Sequence, residues 1–172
     1  MLWLLLIAVV GVVLLYANSR PDTFRVERRA TIQAPPERVF AMLNDFREWM
    51  AWSPWEKLDP AMQRTYGGAE RGVGATYAWS GNKKAGAGQM TITAAEPSTR
   101  LGIRLEFTKP FASTNTTEFA LTPGAGGTTV SWVMQGPCPF LFRLFGAFLN
   151  MDRMIGPDFE AGLANLKAIA ER

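Results

Sequence analysis

Residues 101–108 read LGIRLEFT, the clearest hydrophobic pattern in the chain. Apolar residues occupy every second position, which places them on one side of an extended backbone. One side carries Leu101, Ile103, Leu105 and Phe107, and the other side carries Gly102, Arg104, Glu106 and Thr108. A period of two over eight residues is typical of a β-strand that is buried on one face.

Similar alternation before and after this stretch predicts a whole sheet. It occurs in residues 24–34, 74–80 and 89–95, and again around 119–121 and 130–134. Residues 81–84 and 123–127 are rich in turn-forming types and predict hairpin turns. Strands that follow one another through short turns pair in antiparallel fashion, so residues 62–136 are predicted to form an antiparallel sheet.

Helical spacing replaces the alternation at both ends of this region. Near the C-terminus the apolar stripe consists of Phe159, Leu163, Leu166 and Ile169, and Gly156-Pro157 before it predicts a helix start or a kink. After Pro35-Pro36 a short helix with a second turn through Trp52 is predicted from Val39, Phe40, Leu43 and Phe46. The whole order predicts an α+β fold, in which a curved antiparallel sheet surrounds the long C-terminal helix.

Composition excludes several classes of function. The chain has 172 residues, 18 Lys and Arg, 15 Asp and Glu and a net charge of +3, without a basic run that would suit nucleic acid. It has one cysteine, Cys138, and no histidine. An internal disulfide and metal sites built from His or Cys are therefore excluded, and no cofactor, metal or nucleic-acid partner is expected.

The first seventeen residues, MLWLLLIAVVGVVLLYA, contain no charge. A helix of this length spans about 25 Å, close to the roughly 30 Å hydrocarbon core of a bilayer. Trp3 and Tyr16 lie near its two ends and suit the headgroup regions. We therefore expect a single-pass transmembrane anchor at 1–17, a linker at 18–23 and one ligand-binding domain at 24–172. A cleaved signal peptide is the alternative, although no Lys or Arg precedes the run and its end is a poor cleavage site.

The charges that follow the apolar run predict its orientation. Only the amino terminus precedes the apolar run. Four arginines follow it closely: Arg20, Arg25, Arg28 and Arg29. The positive-inside rule then predicts that the domain lies on the cytoplasmic side of the membrane.

A second apolar stretch, CPFLFRLFGAFLN at 138–150, has Arg143 as its only charge. Thirteen residues are too few to span a bilayer, and as a helix the stretch would carry bulky side chains all round. Two interpretations remain open. The sheet rim covers it as ordinary core, or Phe142, Phe145 and Phe148 contact the membrane surface beside the anchor.

Four segments together resemble bacterial proteins of the SRPBCC superfamily, the START-like and polyketide cyclase-like proteins. They are IQAPPERVFAMLNDFREWMAWSPWEKLDPAM at 32–62, GVGATYAWSGN at 72–82, GAGQMTIT at 86–93 and MDRMIGPDFEAGLANLK at 151–167. The resemblance covers about residues 24–171. It implies a helix-grip fold with a cavity between sheet and helix, which in this family binds lipids, sterols, polyketides or other apolar molecules. Some members catalyse cyclisation or dehydration.

Large apolar side chains on the inward faces are the candidates for lining such a cavity, since aromatic and Met side chains form adaptable apolar walls. The candidates are Tyr77, Trp79, Met90, Ile103, Leu105, Phe107, Phe119, Trp132, Met134, Met151, Ile155 and Phe159. Trp49, Trp52 and Trp55 recur every three residues and are candidates for the cavity rim. The alternative is packing: a filled core for the first group, and attachment of the short helices to the sheet for the second.

The acids and bases available for catalysis are carboxylates, Tyr and Lys. A carboxylate beside an apolar cavity would have a raised pKa and could serve as a general acid or base, and five carboxylates are candidates. They are Glu56, Asp59, Asp152, Asp158 and Glu160. Asp158 also suits the first turn of a helix, and Asp152 can pair with a nearby Arg. Without a nucleophile–base pair or phosphate loop in the sequence, no catalytic residue is assigned.

Two functions from different classes follow. We expect a membrane-tethered binding or carrier domain for a lipid-like or other apolar small molecule. The alternative is an enzyme of the polyketide cyclase or dehydratase type acting on an apolar cyclic substrate. The sequence does not identify a protein partner.

Overall fold

The computed structural model describes residues 2–138, 140–144 and 150–172. The helices are α1 (Leu2–Asn18), α2 (Pro36–Asn44), α3 (Trp49–Trp52), α4 (Phe140–Leu144) and α5 (Met151–Ala170), with a 3-10 turn at Pro54–Lys57. The strands are β1 (Thr23–Ile32), β2 (Gln63–Gly68), β3 (Ala75–Ser80), β4 (Ala87–Glu96), β5 (Arg100–Lys109), β6 (Ser113–Gly124) and β7 (Gly127–Pro137).

The seven strands form one antiparallel sheet in the order β1-β7-β6-β5-β4-β3-β2. Each strand from β2 to β7 pairs with the next one in sequence, and β1 joins the far side of β7. Two register shifts interrupt the pairing of β4 with β5, near Gly88 and between Ile92 and Ala94. Bulges of this kind bend a strand and increase its twist, so they favour a curved sheet.

Helix α5 covers one face of this sheet. Its stripe of Phe159, Leu163 and Leu166 is buried, and the ring of Phe159 stacks on Trp132 of β7 with centroids 4.0 Å apart. The sheet contributes buried partners from alternate positions, such as Leu101 and Ile103 of β5. The predicted α+β architecture, an antiparallel sheet with one long C-terminal helix consistent with the helix-grip fold, is confirmed.

The long helix starts before the Gly-Pro pair. Asn150 caps it, and its side chain accepts a hydrogen bond from the backbone N–H of Asp152 at 2.9 Å. The helix then continues through Pro157, whose missing N–H leaves one backbone carbonyl without its usual helical donor. The sequence predicted either a helix start or a kink at Gly156-Pro157. The prediction of a start is wrong, because the helix begins at Met151 after the Asn150 cap.

The N-terminal apolar run forms α1, which is 17 residues long. Within the described residues, none of the helices combines the length and the apolar character needed to cross a membrane. The transmembrane anchor predicted at 1–17 is therefore not supported. Trp3 and Tyr16 are 77% and 40% exposed, and α1 lies beside α4. Phe142 belongs to α4, whereas Phe145 and Phe148 lie outside the described residues.

The antiparallel directions gather several segments at one end of the sheet, called here the α1 end. Strand β1 starts there beside the end of β7, since Thr23 pairs with Pro137. The pairing of Ala87 with both Lys109 and Ser80 brings the end of β5 and the end of β3 to the same edge. The α1 end therefore carries the linker after α1, the 81–86 loop, the 110–112 turn and α4.

Candidate functional site

A cavity of about 160 Å³ lies between the sheet and α5. Strands β3 to β7 provide most of its wall, α5 closes it with Ile155 and Phe159, and the 3-10 turn adds Trp55 and Glu56. The wall is predominantly apolar, as expected for a site that takes apolar small molecules. Three flexible Met side chains, Met62, Met90 and Met134, belong to the lining and can adapt its shape.

Nine of the twelve side chains predicted from inward-facing positions line this cavity. They are Tyr77, Trp79, Met90, Leu105, Phe107, Trp132, Met134, Ile155 and Phe159. Ile103 and Phe119 are instead almost fully buried in the packed core, and Met151 is half-buried against that core at the start of α5.

The three tryptophans proposed as a rim play different parts. Trp49 and Trp55 line the cavity, whereas Trp52 is 1% exposed and packs among other aromatic rings. The indole N–H groups of Trp49 and Trp52 donate to the backbone carbonyls of Leu43 and Met42. Trp49 and Trp52 thus attach α3 to the end of α2, and of these two only Trp49 also faces the cavity.

A polar cluster interrupts the apolar wall, formed by Glu56, Tyr77 and Arg64. Tyr77 donates its hydroxyl proton to Glu56 Oε1 at 2.6 Å, and Arg64 Nε donates to Glu56 Oε2 at 2.7 Å. The side chain of Glu56 is only 8% exposed and that of Arg64 19%. A buried carboxylate needs such partners, because an unpaired charge there is strongly unfavourable.

Burial and charge shift the pKa values in this cluster. Burial raises the pKa of Tyr77, and the hydrogen bond to Glu56 raises it further, so its hydroxyl stays protonated throughout the physiological range. The hydrogen bond that Arg64 donates to Glu56 raises the pKa of Arg64, which remains a cation. The Glu56–Arg64 pair therefore contributes no net charge to the cavity wall.

One further polar atom in the lining has no partner. The indole Nε1 of Trp132 is buried, and it makes no hydrogen bond within the described part of the chain. Trp132 is itself 2% exposed and lines the cavity. A buried N–H donor without an acceptor costs free energy, which a ligand with an acceptor atom could recover.

The other carboxylates considered for catalysis have structural partners. Asp59 accepts hydrogen bonds from the backbone of Ala61 and Asn82. Asp152 and Glu160 both pair with Arg28 on β1. Burial raises the pKa of Asp158, and a hydrogen bond that it accepts from Trp55 offsets this rise only in part. Of the five candidates only Glu56 lines the cavity.

Some lining residues lay beyond the sequence prediction. Thr117 could have been found, because it alternates with Phe119 on β6 and pairs with Ile103. Met62 and Ala85 lie just outside the strands, and Arg64 reaches Glu56 only through the tertiary fold. Hydrophobic periodicity does not predict the positions of residues outside the strands, nor a contact that depends on the tertiary fold.

An antiparallel sheet closed by one long helix over an apolar cavity defines a class of small α+β domains. Within that class, residues 23–171 match the family described as polyketide cyclase / dehydrase and lipid transport, and the chain belongs to this family. A comparison with curated proteins finds no matching sequence.

Solved structures share the fold at low sequence identity. Protein CV1439 from Chromobacterium violaceum is 20% identical with a TM-score of 0.61, covering 88% of this chain and 99% of that one. A protein from Rhizobium leguminosarum is 18% identical with a TM-score of 0.63, covering 88% and 96%. The di-domain ARO/CYC StfQ of the steffimycin biosynthetic pathway is 12% identical with a TM-score of 0.61, covering 87% and 51%.

Proposed function

We propose that this protein binds a small, largely apolar molecule in the cavity between the sheet and α5. The observation that carries the proposal is the cavity itself, a space of about 160 Å³ walled mainly by aromatic and Met side chains. Cavities of about 150 Å³ lined by apolar groups hold one benzene ring. The space thus suits a molecule with one ring or a short chain, and a longer lipid would need the Met side chains to move.

Filling the cavity tests this proposal. Leu105→Phe adds bulk to the lining and should weaken binding of toluene to the full-length protein at least tenfold, as measured by calorimetry. Leu58→Phe makes the same change at a residue that is 38% exposed and outside the lining, and should leave binding unchanged. A wild-type protein that does not bind toluene, or equal affinities in the two variants, would contradict the proposal.

A second candidate function is catalysis, and it is favoured by Glu56, a carboxylate fixed on the cavity wall by Arg64 and Tyr77. A positioned carboxylate can act as a general base. A one-ring test substrate is 3-hydroxycyclohexanone. Glu56 would take the C2 proton and then return it to the C3 hydroxyl, which leaves as water. The products are cyclohexenone and water, and Glu56 is a carboxylate again. Turnover that disappears in Glu56→Gln would support an enzyme, and a rate equal to that of buffer would leave binding as the function.

We also propose that the domain is attached to a membrane through α1. The support is the apolar surface of α1, where Ile7, Val12 and Leu15 are each at least 65% exposed. Burying one such side chain in an apolar phase contributes roughly 1.5–3 kcal/mol. The cytoplasmic face fits best, because Arg20 follows α1 directly and the cytoplasmic leaflet carries anionic lipids.

A further inference from the structure

The polar cluster of Glu56, Tyr77 and Arg64 limits what kind of ligand the cavity can hold. Glu56 is paired with Arg64, and a carboxylate only accepts hydrogen bonds. The single hydroxyl proton of Tyr77 therefore points at Glu56 Oε1, across a distance of 2.6 Å. What remains free on Tyr77 is the lone-pair side of its oxygen.

The donors of Arg64 are directed away from the ligand space. Its Nε bonds to the side chain of Glu56, one terminal nitrogen to the carbonyl of Met62 and the other to the carbonyl of Glu56. Glu56 and Tyr77 line the cavity, whereas Arg64 stands behind them. The cluster consequently offers the ligand only acceptors and no net charge.

We infer that the ligand is a neutral, ring-sized apolar molecule carrying a hydrogen-bond donor, best a hydroxyl group, which it directs at Tyr77 and Glu56. This inference rests on the proposed binding function and specifies the ligand class. A hydroxyl on an otherwise apolar molecule loses its hydrogen bonds to water on entry, and the acceptors on this wall replace one of them. A ketone of the same size has no proton to give to Tyr77 or Glu56. Its oxygen can only accept, for example from the unpaired N–H of Trp132, whereas a hydroxyl can accept there as well and also donate to the polar cluster.

Cyclohexanol and cyclohexanone are matched probes, because they have the same ring and differ in the donor. We expect the wild-type, full-length protein to bind cyclohexanol about five times more tightly than cyclohexanone, or better, since a net hydrogen bond is worth roughly 1 kcal/mol. Calorimetry gives both affinities. Equal affinities would overturn the inference and leave the binding function intact, whereas failure to bind either probe would overturn both.

Glu56→Gln provides the sharper test, because it should reverse the polarity of the wall. Arg64 can only donate, so the amide oxygen would face Arg64 and the amide NH₂ would face Tyr77. The Tyr77 oxygen would then accept, and its proton would turn towards the cavity. We expect the preference for cyclohexanol to disappear or to change in favour of cyclohexanone.

The control is Glu118→Gln, which breaks a similar carboxylate–guanidinium pair with Arg100 outside the cavity. It should keep the wild-type preference. A preference that Glu56→Gln leaves unchanged would overturn the inference.

Tyr77→Phe supplies an independent measurement if Glu56→Gln does not fold. Without the Tyr77 hydroxyl, Glu56 Oε1 lacks its donor, and the hydroxyl of cyclohexanol can take that place. We expect the preference for cyclohexanol to be kept or increased. Equal affinities for the two probes in this variant would overturn the inference.

Discussion

Trp132 shows how a single residue joins the sheet to α5. Its ring stacks on Phe159 at an interplanar angle of 11°. The rings of Trp52 and Trp55 contact it edge-on. A Cβ added at Gly162 would lie 2.8 Å from Trp132 Cζ3. The absence of a side chain at Gly162 thus permits the helix backbone to approach the ring.

The change Gly162→Ala should therefore destabilise the protein. Alanine normally favours a helix interior over glycine by about 1 kcal/mol. Here its methyl group would press on a buried ring and on Pro54, so we expect a net loss of about 1–2 kcal/mol in the free energy of unfolding. Urea denaturation measures this loss. Gly126→Ala, where nothing lies within 4 Å of the added Cβ, is the control. A more stable Gly162→Ala variant would show that the ring can move.

Single residues could be predicted from the sequence where strand alternation sets their direction. Tyr77 and Leu105 face inward for that reason, and both lie in the cavity wall. Arg64 could not be predicted as a partner of Glu56, because one belongs to β2 and the other to the 3-10 turn. Their contact depends on how these two elements meet in three dimensions.

At the scale of elements, an ionic cluster fastens the first half of α5 to β1. Arg28 pairs with Asp152 at 2.7 Å and with Glu160 at 2.6 Å, two residues that lie eight positions apart on the helix. Its guanidinium passes beneath Gly156, where an added Cβ would lie 2.0 Å from an Arg28 nitrogen. The cluster therefore spans the part of α5 that contains Pro157 and carries the cavity residue Ile155.

This attachment predicts a pH-dependent contribution to stability. The pairing with Arg28 lowers the pKa of Asp152. A lowered folded-state pKa means that the carboxylate stabilises the fold above its unfolded pKa of about 4, and that this contribution is lost as pH falls through the folded-state value. We expect Asp152→Asn to cost about 0.5–1 kcal/mol at pH 7, since the pair is partly exposed.

The same substitution should have almost no effect in strong acid, where Asp152 is protonated in both states. Urea denaturation at neutral and strongly acidic pH measures the two differences. The exposed Asp22, changed to Asn, serves as the control and should show no comparable pH-dependent loss. An equal cost of Asp152→Asn at both pH values would mean that the loss does not come from the charge.

Helices and strands with a clear periodic spacing of apolar residues could be predicted from the sequence, and those without such spacing could not. β5 and the stripe of α5 follow directly from apolar spacing. β2, with the sequence QRTYGG, has no apolar alternation and is held by pairing with β3. The start of α5 depends on the Asn150 cap rather than on hydrophobic spacing.

At the scale of the whole molecule, the α1 end combines apolar and basic groups. Phe111 in the 110–112 turn is 80% exposed, and Lys83, Lys84 and Lys109 are exposed in the neighbouring segments. The cavity residues Trp79, Ala85 and Phe107 belong to strand ends and loops at this same end. We expect an anionic membrane surface to contact the exposed groups among these, Phe111 and the three lysines.

From this arrangement we expect the domain to bind anionic lipid even when α1 is removed. A chain beginning at Asn18 should float with vesicles that contain phosphatidylglycerol. Changing Lys83, Lys84 and Lys109 to Gln together should weaken binding by about 1 kcal/mol per lysine.

Three exposed arginines at the opposite end, Arg38, Arg71 and Arg172, provide the matched control when changed to Gln. This variant should float as the unaltered domain does. Equal losses in the two triple variants would indicate attraction by overall charge rather than docking by the α1 end.

Cys138 gives this end of the molecule a natural position for a spectroscopic label. Its backbone N–H donates to the carbonyl of Asp22 at 2.6 Å, so it lies where the chain arriving from α1 meets the chain leaving β7. Its thiol is half-buried, and no other cysteine occurs in the sequence. A nitroxide attached there needs no background substitutions, and its collisions with lipid-dissolved oxygen or aqueous nickel would report the depth of that junction in a bilayer.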